Sequence, residues 1–210
     1  MSTANSRSAS TRGRIDKQRA VMTAALTVFA RVGYAQARVD DIAAEAKVAK
    51  ATVYSHFGDK ETLFRQAVQA LSDTALAANL AAIEQLTDGD ELPTRLREVG
   101  LQLAQCYCAE EARALRQLVC AQAARFPDLV DIVTGVQHRA GRALADRLAR
   151  LSLSGRLRIQ DPELAAAHFT ALLIGPLDTQ SRLGTRVVPD AELRALTDSA
   201  VDTFLRAFGQ

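Results

Sequence analysis

The chain has 210 residues, 48% hydrophobic but only 5% aromatic, with no tryptophan, five prolines and a net charge of +2. No apolar run approaches the roughly 18 residues that would span a bilayer, and three cysteines do not form the even, dense set of a disulfide scaffold, so reduced thiols are expected. Alanine and leucine, both strong helix formers, dominate, which sets an all-α expectation.

Residues 1–13 are rich in Ser, Thr and Arg and lack periodicity, predicting a disordered basic arm. With Arg14, its Arg7 and Arg12 are placed to reach a polyanion, unless the arm is disordered and idle. The opening shows no apolar stretch and no cleavage pattern, so no secretory leader is expected and the location is read as cytoplasmic. Val21, Ala24, Ala25, Val28, Phe29 and Val32 then repeat at three and four residues, one face of a first helix that Gly33 ends. The stretch VDDIAAEAK predicts a second, shorter helix with Ile42, Ala43 and Ala46 on one side and Asp40 and Asp41 in its first turn.

ATVYSHF predicts a third helix of barely two turns. Successive residues turn by about 100°, so Val53 and Phe57 share a face turned back on Ile42 and Ala46. The opposite arc carries Ala51, Thr52 and Ser55, with Tyr54 on its flank, Lys50 at the start and His56 at the rim. Small side chains let a backbone approach a groove floor, and hydroxyls and methyls suit base edges and phosphates. After Gly58 the chain restarts at once. Asp59 is placed to cap the next helix and Lys60 to complete an anion site in its first turn, unless GDKE is an ordinary capped turn. Residues 1–60 hold 10 basic and 5 acidic side chains, the remainder 16 and 19. A basic head on a mildly acidic body suits a polyanionic partner.

A long helix is expected from Asp59 to about residue 86, with Leu63, Phe64, Ala67, Val68, Leu71 and Ala75 as its stripe, and a turn at Asp88-Gly89-Asp90. Further helices are predicted over 93–108, 111–125, 128–153, 162–183 and 190–208, with prolines near their starts. Pro176, after Gly175, is expected to kink or divide its helix. The divisions are thus an arm at 1–13, a three-helix head at 14–60 and a larger helical domain at 61–210.

Ala25, Phe29, Gly33, Tyr34, Val39-Asp40-Asp41-Ile42-Ala43, Ala46, Val48, Thr52-Val53-Tyr54-Ser55-His56-Phe57, Lys60 and Leu63 carry many fixed spacings. Through them residues 14–64 resemble the DNA-binding head of the tetracycline-repressor (TetR/AcrR) family of bacterial transcription regulators. LVCAQAARFPDLVDIV and GRLRIQDPELAAAHFTALLIGP resemble the C-terminal domain of its AefR-like subgroup. The resemblance implies about nine helices, a homodimer, a near-palindromic double-stranded operator and release by a small-molecule effector. It carries Thr52, Tyr54, His56 and Lys60 over as DNA contacts, chiefly to phosphate, and Lys50 and Ala51 ahead of them as base readers.

Three positions depart from that pattern. Arg38 stands where Ser or Thr is usual, Lys47 where the turn usually has Gly, and Ala49 where Ser usually opens the third helix. A left-handed non-glycine residue and a missing cap each cost about 1 kcal/mol, so the head is expected to be less stable, or its turn to avoid that conformation. Arg38 joins the expected phosphate contacts.

In the larger domain Gln102, Cys106, Tyr107, Gln122, His138 and His168 interrupt apolar faces. They are the candidate lining of a pocket for an apolar or aromatic molecule, each with a satisfied place in the core as the alternative. Leu193, Leu196, Ala200 and Phe204, with Leu172, Leu173 and Leu177, are the expected dimer seam, unless the stripe packs within its own chain. No nucleophile–base–acid set and no phosphate loop is visible, so neither an enzyme nor a cofactor or metal is expected. The competing readings are a TetR-like activator and a thiol- or metal-responsive regulator using Cys106, Cys108 or Cys120.

Overall fold

The computed structural model describes residues 3–87, 91–182 and 184–210, with side chains from Ile15 onward. Among them it holds nine helices: α1 Thr3–Gln36, α2 Val39–Glu45, α3 Lys50–Phe57, α4 Lys60–Glu84, α5 Leu92–Cys108, α6 Glu110–Gln122, α7 Asp128–Leu153, α8 Pro162–Gln180 and α9 Asp190–Phe208. The all-α expectation holds. Only an isolated bridge between Leu157 and Gly209 is extended pairing among these residues. None of their helices is long and apolar enough to cross a membrane. The turn expected at Asp88-Gly89-Asp90 and the side-chain roles given to Arg7, Arg12 and Arg14 fall outside the described residues.

Two boundaries differ from the sequence reading. Residues 3–13 continue α1 as helix, where an arm was expected. Apart from Gly13 nothing in ANSRSASTRGR opposes helix strongly. Of the kink or division expected at Pro176, the division does not occur, and α8 runs through it to Gln180 as one helix. Pro176 is exposed, and Gly175 before it offers no Cβ for the ring to meet. Gly33 does break α1, with φ 76 and ψ 162, a region closed to other residues.

The chain forms two compact units, Met1–Leu71 with Leu118–Ile132, and Ser72–Gln117 with Val133–Gln210. In the first, Val21, Ala24, Ala25, Val28 and Phe29 are buried as the stripe predicts, with Ile42, Val53, Phe57, Leu63 and Phe64, whereas Val32 is 40% exposed. This unit does not end at residue 60. It takes in the first turns of α4 and the segment joining α6 to α7.

In the second unit Leu96, Val99, Leu144, Leu148, Phe169, Leu173, Val201 and Phe204 form one buried cluster. α5 lies close against α8 and α9 at Gly100. A Cβ there would stand 3.0 Å from Thr197 Cγ2 and 3.3 Å from Leu173 Cδ2. The seam expected at Leu173, Leu177, Leu193, Ala200 and Phe204 is buried inside the single chain, and Leu172 and Leu196 pack against the same clusters. The stripe therefore turns inward, because α5 takes the place that a second copy was expected to fill.

Candidate functional site

The helix-turn-helix is built as the periodicity requires. Val39, Ile42 and Ala43 of α2 and Val53 and Phe57 of α3 face inward. On the other side of α3, Ala51, Tyr54 and Ser55 are exposed and Thr52 and His56 half-buried. Arg38, extended ahead of α2, is exposed as well. Ser55 Oγ donates to the Thr52 carbonyl at 2.9 Å, so its proton is in use and the exposed hydroxyl keeps only acceptor capacity. Lys50 is paired with Asp40 at 2.8 Å, and this hydrogen bond holds its ammonium charged above the usual lysine range. Both partners are about half exposed, so another acceptor can replace the carboxylate.

Lys60 does something else. Its ammonium donates to the carbonyls of Tyr34 at 2.9 Å and Ala37 at 3.0 Å, reaches that of Ala35 at 3.4 Å, and lies 4.6 Å from the Tyr34 ring centroid. An ammonium has three donors, and all three serve the end of α1, where carbonyls lack helical partners. In this geometry Lys60 clamps a helix end and has no donor left for phosphate. Asp59 caps α4 as expected. Its Oδ1 accepts from Thr62 N at 2.7 Å, and this bond draws its carboxyl below the usual range.

The turn keeps its left-handed residue although it lacks glycine, with Lys47 at φ 55. Neither Arg38 nor Ala49 caps its helix with a side chain. Lys47→Gly is expected to raise the stability of the head by about 0.5–1 kcal/mol, the relieved strain less the added freedom of the unfolded chain. Chemical denaturation followed through α1–α3 checks this, and a variant no more stable than the parent contradicts the strain.

Beneath the head lies an aromatic cluster that sequence reasoning missed. Phe126 sits edge-on to Tyr34 with centroids 4.9 Å apart and 5.6 Å from Phe64, and Phe29 meets Phe64 at 4.9 Å. The guanidinium of Arg125 lies 5.0 Å from the Tyr34 ring and that of Arg65 5.0 Å from Phe126, while Arg65 pairs with Asp128 and Glu61. The one available signal was compositional. Phe126 is the only Phe, Tyr or Trp between Tyr107 and Phe169.

The second unit carries a cavity of about 880 Å³, open to solvent on one side and lined from α4 to α8, largely by apolar residues such as Ile83, Leu103, Leu115, Val136 and Ile174. Of the six candidate lining residues, Cys106, Tyr107 and His138 are there. The other three are not. Gln102 bonds to Gln85 at 3.1 Å, His168 stacks on Phe208 and Gln122 belongs to the first unit. Tyr107 donates to Asp178 at 2.6 Å, and burial with this bond raises its phenol to about 12. Sequence reasoning missed Arg116 and the fully buried Ser72, which also line the cavity. Ser72 continues the apolar stripe of α4 one turn after Val68, a polar interruption that periodicity would have marked.

The cysteines are free. Burial raises the thiols of Cys106 and Cys108, and Cys120 is exposed. No group of three or more His, Cys, Asp or Glu among the described residues is placed to hold a metal.

Residues 94–210 match the family model of the AefR-like transcriptional repressor C-terminal domain, and residues 21–67 that of bacterial regulatory proteins of the tetR family. The chain is 25% identical over 179 residues to YvkB, an uncharacterised HTH-type transcriptional regulator of Bacillus subtilis (strain 168), covering 85% of this chain and 90% of YvkB. A solved structure described as a TetR-family regulator of Mesorhizobium loti MAFF303099 superposes with a TM-score of 0.86 at 28% identity, over 94% of this chain and 98% of that one. The flavonoid-responsive regulator FrrA superposes with a TM-score of 0.68 at 25% identity, over 92% and 97%.

Proposed function

We propose, for a chain that belongs to the tetR family of bacterial regulatory proteins and carries an AefR-like C-terminal domain, that it is a homodimeric repressor which grips a near-palindromic operator through α3 and lets go when a small apolar or aromatic molecule fills its cavity. The observation that carries this is the outward arc of α3, where Ala51, Tyr54 and Ser55 are exposed behind a buried Val53–Phe57 anchor. In this reading Lys50, Ala51 and Ser55 meet base edges and Arg38, Thr52, Tyr54 and His56 meet phosphates. Lys60 contributes through the fold of the head, by holding the end of α1. The effector half of the reading draws on the size and apolar lining of the cavity, which suit an organic molecule. The flavonoid response named for FrrA favours an aromatic one.

Members of this family bind DNA and act as dimers. Since the expected seam is internal, the proposed dimer contact uses the exposed side of α8 around Leu164, which is 52% exposed, with Ala195 and Ser199 of α9, and it borders the cavity mouth, where Ala167 and Ala171 line the opening. A two-fold axis then sets the two copies of α3 about 34–36 Å apart or at a larger helical repeat. Chain connectivity links cavity to head: α6 and α7 line the cavity, and the segment between them carries Phe126. The raised thiols of Cys106 and Cys108 weigh against thiolate sensing there.

Selection of bound sequences from random duplex DNA tests the reading. Enrichment of an inverted repeat is expected, and recovery of only asymmetric or unrelated sequences would overturn it. On the selected site, Arg38→Ala should flatten the log–log dependence of affinity on salt by about 0.9. An unchanged slope removes Arg38 from the contacts.

A further inference from the structure

Arg116 has a neighbour set that is unusual for a guanidinium on an apolar cavity wall. It stacks on the Tyr107 ring, 3.7 Å from the centroid, and donates to the Tyr107 carbonyl at 2.9 Å. Tyr107 is in turn fixed by its hydroxyl on Asp178. No carboxylate among the described residues pairs with Arg116, although arginines elsewhere in the chain have such partners. The other charges on the cavity wall do not make up for this. Arg139 leans on Asp73 at 3.8 Å, Arg142 is exposed, and Glu163 is the one acidic residue of the lining. A second observation is independent of charge. Ser72, 0% exposed and lining the same cavity, has an Oγ with no hydrogen-bond partner. A buried hydroxyl left unpaired is costly, and a ligand with a polar group satisfies it.

We propose that the effector is an amphipathic organic carboxylate, its acid group held by Arg116, its apolar body along Leu103, Leu115, Val136 and Ile174, and a further polar group or carbonyl within reach of Ser72. The stacked guanidinium is already oriented and partly stripped of water, so its fork meets a carboxylate with little reorganisation. The inference rests on reading the cavity as the effector site and adds the charge of the ligand.

The test titrates 2-naphthoate, cinnamate and decanoate, each beside its primary amide, against the 210-residue protein by calorimetry. The same compounds are added to the protein bound to its selected operator. At least one acid should bind at least about tenfold tighter than its amide, the margin of a charge-assisted bond. Arg116→Gln should erase that margin while leaving amide binding in place, and Arg116→Lys should restore part of it. Amide binding and thermal melting show that each variant is folded. Amides that bind as well as acids and release DNA overturn the carboxylate and leave the effector site standing. Failure of both series to bind overturns both. A margin that survives in Arg116→Gln overturns the role of this residue.

Discussion

Replacing Phe126 with alanine is expected to destabilise the first compact unit by about 3–4 kcal/mol, the range of a large aromatic removed from a packed core. The ring is 2% exposed and touches Tyr34 and Phe64, two side chains that themselves close the end of α1 and the start of α4. Its loss opens a cavity beneath the helix-turn-helix and strips Arg65 and Arg125 of the ring they lie over. Hydrogen exchange at amides of α1 to α3 should accelerate by about two orders of magnitude or more, since each 1.4 kcal/mol is a factor of ten wherever opening is global to that unit. Operator binding should fail at temperatures the parent tolerates. Phe126→Leu should recover much of the loss, because it refills most of the volume. If Phe126→Ala exchanges like the parent, residues 118–132 do not belong to the fold of the head.

Phe126 also shows where the sequence stopped being legible. Helices α2 and α3 could be read residue by residue because their burial follows a local period, with Ile42, Val53 and Phe57 buried where 100° steps place them. The segment 118–132 joins the head through contacts more than sixty residues distant in sequence, such as Phe64 with Phe126. Period and turn chemistry carry no information about pairing at that range, so a boundary drawn at residue 60 was the natural reading.

Lys60 and the α9 stripe went astray for a related reason. A lysine behind a helix-turn-helix is drawn to phosphate by charge alone. The carbonyls of Tyr34, Ala35 and Ala37 compete for it only once Gly33 has broken α1 and brought that end alongside α4. Likewise Leu193, Ala200 and Phe204 form a true apolar face, but periodicity reveals a face and not its occupant, and the occupant is α5 and α8 of the same chain. In the cavity, Cys106, Tyr107 and His138 were found because polar residues on apolar faces stand out. Arg116 did not stand out, since an arginine beside a leucine stripe is ordinary until its guanidinium is seen lying flat on a ring.

Ala51→Glu is expected to weaken operator binding by about 100-fold or more without weakening the head, and this separation makes it the sharper probe of α3. Ala51 is exposed and lies in the first turn of α3, where an acid faces the positive end of the helix dipole and no acidic residue now stands. Glutamate gives up only a few tenths of a kcal/mol of helix propensity there, and the dipole offsets it, so melting should stay level or rise. In a DNA groove the same carboxylate meets phosphate fields and acceptor-rich base edges, has no donor to offer, and fills space that alanine leaves open. About 100-fold is 2.7 kcal/mol, within the range of one or two mismatched base pairs. Because Lys50 lies beside this position and is shared with Asp40, the new acid also competes for the one cation at the start of α3. The salt dependence should therefore become shallower as well. A variant that melts like the parent and still holds the selected operator within threefold would show that α3 does not enter the groove by this face, whatever the rest of the chain does.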